Sequence, residues 1–390
     1  MKAYAPSLLY QGKALLERKT LLVEGARIKA VCDDAVAPGE ARTERLDGIL
    51  APGYVDLQIN GCGGTVFSED LSLASVVTMR DVAAQHGVTS ILPTLITATD
   101  DDIVTALEVV GRAMKEVPGV VGMHLEGPHI SVEKRGTHAK ELVRPLDRVG
   151  LERIRRAVRN GILKLLTVAP ESVTNEQISL LAGTGLCISL GHTAASAEAI
   201  LAAERSGARM LTHMFNGMPA LVGRAPGPVG AGMASDSLLA SIIVDGAHVD
   251  RTSVKAVFNA MGDRLLLISD TSASEEGGSG PFTFGGHACR IENGVVRNEE
   301  GGLAGAAMLL DRMVANTAEI LGDAAQAIFM ATELPARAIG MEGEIGSLAP
   351  GARADFILLD DKSLQVRQVW RGGEPIAGDA EPQQRLTPVG

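Results

Sequence analysis

Short runs of apolar and β-branched residues recur along this chain between longer stretches with helical spacing. Eight stand out: YVDLQ (54–58), TSILPTL (89–95), VVGMHL (120–125), LKLLTV (163–168), LCISLG (186–191), RMLTH (209–213), ASIIVD (240–245) and LLLIS (265–269). Runs without strict polar alternation suit strands buried on both faces, and strands separated by helices predict a parallel sheet. Eight repeats of that unit predict an α/β fold closed into a (β/α)8 TIM-like barrel, an architecture of about 250 residues. The expected barrel spans 52–343.

Strand-like runs also lie near both ends, TLLVEGARIKAV (20–31) and ADFILLD with VRQVWRGGEPI (354–376). They predict a small β-sandwich domain built from both termini, residues 1–51 and 344–390. LAGAAMLLDRMVANTAEI and DAAQAIFMATELPARAIG read as helices that pack through apolar faces. The stretch FNGMPALVGRAPGPVGAGMASDS, rich in Gly and Pro, has no helical period. A long connection of that kind in a compact domain is usually functional.

Composition narrows the partners. The 390 residues carry 36 basic and 47 acidic side chains, a net −11, with no Lys/Arg run to make a footprint for nucleic acid or an anionic membrane. No stretch reaches the roughly 20 apolar residues of a spanning helix, and the N-terminus has no signal-peptide core, so the expected compartment is the cytoplasm. Four dispersed cysteines suggest neither a disulfide framework nor a thiolate metal site, and Cys62 reads as a small buried residue.

The polar residues favour one end of the runs. Gln58, Asn60, Thr94, Glu126, Glu171, His192, His213, Asp245, His248 and Asp270 lie at or just past C-terminal ends, the rim where barrel enzymes build their sites. Glu126, His192 and His213 come from three different runs and make a carboxylate and two imidazoles, a set known from catalytic zinc sites with an open position. Each has an ordinary alternative: a paired rim carboxylate, a helix-start residue, a core histidine. Asp270 is placed to accept a proton from an attacking water and return it to a leaving amine, or else to cap the following helix. His138 in KRGTHAKELVR is a candidate oxyanion donor, or an exposed loop histidine. Arg224 and His248 are candidates for an anionic group, with Asn216 and Gly217 adding an amide and a backbone N–H. His124 shares a strand face with Glu126 and reads as a neighbour of the site. His86 looks like a helix terminus, and His129 and His287 show no partner in the sequence.

The ordered motifs PGYVDLQINGCGG, HLEGPHISVEKRGTH, SLGHTAAS, LTHMFNGM, VDGAHV, ISDTSAS, LAGAAM and GSLAPGARADFILLD cover nearly the whole chain. With them the chain resembles the N-acetylglucosamine-6-phosphate deacetylase family of the amidohydrolase superfamily. The resemblance implies hydrolysis of the acetamide of a phosphorylated N-acetylated amino sugar, releasing acetate. It implies metal ligation by Glu126, His192 and His213, Asp270 as general base then acid, and His138 as carbonyl polariser. It implies substrate contacts from Thr137, Asn216, Gly217, Arg224, Asp245, Gly246, Ala247, His248, Leu303, Ala304 and Gly305, and a homodimer in which Arg224 reaches the neighbouring subunit's phosphate. Some relatives carry His-x-His where this chain has Gln58 and Asn60, and bind a second metal there. Neutral amides are weak ligands, so one divalent ion per subunit is expected, Zn²⁺ first, with Fe²⁺, Co²⁺ or Mn²⁺ as alternatives. The galactosamine epimer as substrate, another cyclic-amide hydrolase of the superfamily, and a non-catalytic scaffold are the competing readings.

Overall fold

The computed structural model describes residues 1–34, 42–273 and 280–376. Residues 35–41 and 377–390 of the expected terminal domain, and Ser274 of the ISDTSAS motif, lie outside the described residues.

All eight apolar runs form strands of one parallel sheet: Tyr54–Ile59, Val88–Leu95, Met123–Glu126, Leu163–Val168, Cys187–Leu190, Met210–Leu211, Leu239–Ile242 and Leu265–Leu267. They are hydrogen-bonded in sequence order. The first and eighth also meet: Asp270 N–H donates to Gln58 O at 2.9 Å, Asn60 N–H donates to Thr271 O at 2.8 Å, and Ile59 bridges Thr271 in parallel. The sheet is therefore a closed barrel. Ser72, Thr99, Asp147, Thr174, Ser196, Asp250 and Asp323 are side-chain N-caps of helices that surround the strands, each satisfying a free helical N–H.

The termini share a second sheet. In spatial order it runs Glu374–Pro375, Val366–Arg371, Phe356–Leu359, Arg42–Pro52, Lys2–Gln11, Lys19–Glu24 and Arg27–Asp33, with Ala14–Leu16 paired to Lys2–Gln11. Alternation divides its faces. Tyr4, Leu9, Leu50, Phe356 and Trp370 pack together on one side, while Tyr10, Ile49, Ala51, Ile357 and Leu359 join the barrel's core.

Two local readings are corrected, and one element is new. LAGAAMLLDRMVANTAEI is not helical throughout: Leu303–Ala306 is a strand, and the helix begins at Leu310. The connection after the sixth barrel strand contains a helix, Gly227–Ala234, whose Gly and Ala content gives no amphipathic period to read. After the eighth strand the chain builds a four-stranded antiparallel sheet, Phe282–Phe284, His287–Glu292, Val295–Asn298 and Leu303–Ala306. Its small core of Ile96, Phe284, Cys289, Val296 and Ala304 lies against the barrel rim.

Candidate metal centre and active site

Glu126 ends the third barrel strand, while His192 and His213 follow the fifth and sixth. Both histidines take positive φ, 47° and 31°, as does Asp270 at 50° after the eighth strand. Non-glycine residues seldom hold that conformation, and it costs about 1–3 kcal/mol each where the surroundings enforce it. The enforcement is visible at His213, whose N–H donates to Ser241 Oγ at 2.8 Å. These three turns aim the side chains across the rim instead of along it.

The outcome is a triangle of ligand atoms. His213 Nε2 lies 3.0 Å from Glu126 Oε1 and 3.1 Å from His192 Nε2, and His192 Nε2 lies 3.3 Å from the same oxygen. Ligands held about 2.0–2.2 Å from a tetrahedral zinc lie roughly 3.3–3.6 Å apart, so this spacing needs only slight opening. The protons agree. His192 Nδ1–H donates to Lys134 O at 2.8 Å, which leaves a lone pair on Nε2 facing the other two atoms. Burial opposes charge on His213, yet Glu126 lifts its imidazole to about 8. Burial equally opposes the carboxylate of Glu126, and the two imidazoles still hold it well below its ordinary range. The junction therefore favours positive charge, as a cation site must. Among the described residues these three are the set of His, Cys and acidic side chains close enough to share an ion.

Gln58 and Asn60 occupy the adjacent side. Gln58 Nε2 donates to Asp270 Oδ1 at 2.9 Å and lies 3.0 Å from each oxygen of Glu126, and Asn60 Nδ2 donates to the same Asp270 oxygen at 2.8 Å. The amides thus point their donors, not their oxygens, at the two carboxylates. Burial first, then the neighbouring Glu126, pushes the carboxyl of Asp270 up from its ordinary value, and the hydrogen bond from Asn60 pulls back. A raised carboxyl pKa suits a group that must take and return a proton.

His138 is no exposed loop residue but is buried at 4% exposure. Its Nδ1 meets the hydroxyl of Thr97 at 2.7 Å and accepts the backbone N–H of Thr97 at 3.2 Å, while its Nε2 lies 4.0 Å from Glu126 Oε2. Burial, then His192, keeps the ring well below its ordinary pKa, hence neutral. Beneath the rim, a belt of Thr94, His124, Thr167, Ser189 and Thr212 is linked side chain to side chain. Burial holds His124 down to about 4. It braces the interior below Glu126.

Glu126, His192, His213, Asp270 and His138 face one cavity. Of the expected substrate contacts, Thr137, Asn216, Gly217, His248, Leu303 and Gly305 line it. The fit is close at Gly217, where φ is +59° and a Cβ would lie 2.9 Å from the His192 ring.

The structure does not bring the remaining contacts to the wall. Asp245 is committed elsewhere, accepting the N–H groups of Ala247 and His248 at 2.9 Å each and pairing with His248 Nδ1 at 2.7 Å. Gly246, Ala247 and Arg224 are exposed outside the cavity, and Ala304 is buried in the small four-stranded sheet's core. Glu171, at the rim, braces the turn after His192 by accepting from Thr193 and Ala194, both at 2.6 Å. His129 and His287 have partners after all, Arg144 O at 2.9 Å and Glu299 at 3.3 Å.

Sequence reasoning missed Ile96, Gly136 and Phe284, which also line the cavity. Phe284 had a legible signal, PFTFGG, an alternating strand running into a Gly-Gly turn. Ile96 had none beyond following the second strand.

Comparison with known proteins agrees with this geometry. The amidohydrolase family model matches residues 49–377. The chain is 38% identical to the N-acetylgalactosamine-6-phosphate deacetylase of Shewanella sp. (strain ANA-3) over 331 residues, covering 84% of this chain and 83% of that protein. It is 33% identical to the N-acetylglucosamine-6-phosphate deacetylase of Haemophilus influenzae over 374 residues, covering 94% and 97%. It also superposes on the crystal structure of N-acetylglucosamine-6-phosphate deacetylase from Pasteurella multocida with a TM-score of 0.91 at 31% identity, covering 97% of this chain and 100% of that one.

Proposed function

Because the chain belongs to the amidohydrolase family, we propose that it hydrolyses the acetamide of N-acetylglucosamine 6-phosphate to acetate and glucosamine 6-phosphate. One observation carries the reading. Three ligand atoms 3.0–3.3 Å apart share a cavity with a buried carboxyl on one side and a neutral imidazole on the other.

Glu126, His192 and His213 would hold a single divalent ion, Zn²⁺ by the chemistry of the donors. When bound, such an ion lends Lewis acidity, bringing the pKa of water toward about 7 and polarising an amide carbonyl. Asp270 accepts the proton of the attacking water and hands it to the departing nitrogen. Gln58 and Asn60 hold its carboxylate in place with their N–H groups, and neutral amides are weak ligands for a second ion. His138 donates from Nε2 to the carbonyl oxygen as it gains negative charge. His248, Asn216 and the backbone at Gly217 receive the sugar phosphate.

Among the described residues no lysine or arginine lines the cavity. A phosphate-bearing substrate therefore calls for a cation from outside its wall. Arg224 lies on an exposed loop beside Leu221 and Val222, which are 48% and 55% exposed. That loop suits a homodimer in which Arg224 serves the neighbouring subunit. No helix of the described chain is long and apolar enough to cross a membrane, and we assign the enzyme to the cytoplasm.

The galactosamine epimer is the second reading, favoured by the 38% identical relative. Acetate release is the test, measured on both N-acetylhexosamine 6-phosphates and their unphosphorylated forms, with and without a chelator. Chelator-sensitive release from the glucosamine compound at the higher kcat/KM is expected. A preference for the other epimer would select the second reading, and no release from either would overturn both.

A further inference from the structure

We propose that Thr97 is a positioning residue that fixes the proton of His138 on Nε2, so that the cavity always meets an N–H donor. What that donor is for rests on the deacetylase reading. Where the proton sits rests on geometry alone.

The backbone N–H of Thr97 points at His138 Nδ1 across 3.2 Å. An N–H cannot face a second N–H at that distance, so Nδ1 presents its lone pair and the ring carries one proton, on Nε2. The Thr97 hydroxyl, 2.7 Å from the same nitrogen, can rotate to serve as a second donor. Nε2–H then projects beside Glu126, 4.0 Å from Oε2. That is the side on which a carbonyl oxygen drawn to the ligand triangle develops charge. His192, whose ring centroid is 4.3 Å away, carries its proton at the opposite end, donating Nδ1–H to Lys134 O. Two neighbouring imidazoles are thus set to opposite tasks, one accepting a cation and one donating to an anion, by two backbone groups.

Thr97 is held firmly enough for this. It lies between the end of the second barrel strand at Leu95 and the capping box formed by Thr99 and Asp102. It is 5% exposed and does not line the cavity. Gly127 leaves room for its hydroxyl, since a Cβ there would lie 2.4 Å from Thr97 Oγ1.

The test uses the full chain loaded with Zn²⁺ and labelled with ¹⁵N in its histidine rings, with His138→Gln to assign the His138 signals. The expected spectrum has a proton on Nε2 and a bare, pyridine-like Nδ1. Thr97→Val, which keeps the backbone donor and loses the hydroxyl, is expected to lower kcat about tenfold with KM within about twofold. It should also move the Nδ1 ¹⁵N resonance, since one of the two hydrogen bonds to that lone pair is lost while the proton stays on Nε2, and Thr97→Ser should restore both. A proton on Nδ1 in the unaltered chain would overturn the inference. So would a Thr97→Val chain whose ring spectrum is unchanged, whatever its kcat, because Thr97 would then act through packing alone. If the unaltered chain shows Nε2–H yet releases no acetate, the deacetylase reading fails and the tautomer assignment stands.

Discussion

The two halves of the barrel rim use similar side chains and reach opposite states. On one half, from the third, fifth and sixth strands, Glu126, His192 and His213 turn acceptor atoms toward a common point. On the other, from the first and eighth strands, Gln58 and Asn60 turn amide donors onto the carboxylate of Asp270. Three ligand atoms converging on one point suit a shared cation. Donors facing acceptors are held by hydrogen bonds instead. The contrast teaches that an amide here does more than offer a weaker ligand than imidazole: its donors clamp the carboxylate of Asp270.

The sharpest way to break this contrast is to empty the first half. Glu126→Ala is expected to lose the bound ion and lower acetate release by more than about 10⁴-fold, with metal content measured by elemental analysis. A variant that retains one ion per chain would remove Glu126 from the ligand set. Next in size, Asp270→Asn should lower kcat by about 10³-fold, within the range of general acid–base catalysis, with the ion still bound. Unimpaired turnover would deny Asp270 its role.

A smaller effect is expected at Asn60. In the proposed mechanism Asp270 works as a carboxylate, so activity should fall as pH drops through its apparent pKa. The hydrogen bond from Asn60 lowers that pKa. Asn60→Leu should therefore move the acid limb of kcat/KM upward by about one pH unit, given roughly 1.5 kcal/mol for a hydrogen bond to a charged group. A limb that stays in place or moves down contradicts the clamp. The mildest change sharpens the comparison from the other direction. Gln58→His with Asn60→His should raise the metal content from one ion per chain toward two, because acceptors would then face acceptors on both halves. A content that stays at one would mean that the backbone, and not the side-chain type, excludes the second ion.

Much of this molecule was legible before any coordinates. A strand buried on both faces must be apolar throughout, so all eight barrel strands and their order followed from the pattern of residues. A rim carries polar side chains because the strands end there, so Glu126, His192, His213 and Asp270 stood out together. Arg224 and Asp245 stood out as well, and the resemblance added Ala304, but a motif does not say which way a side chain turns. Asp245 faces His248, Ala304 faces the small sheet's core, and Arg224 faces solvent.

What sequence alone determined is the repeat of strands and helices and the chemical kinds of group at the rim, because both follow from periodicity and residue type. Tertiary structure decided the positive-φ turns that aim His192, His213 and Asp270, the entry of Phe284 and Leu303 from a sheet inserted after the eighth strand, and the opposite protonation of His138 and His192. Those depend on which backbone groups meet which side chains across residues remote in the chain, and no local pattern of hydrophobic and polar positions encodes that meeting.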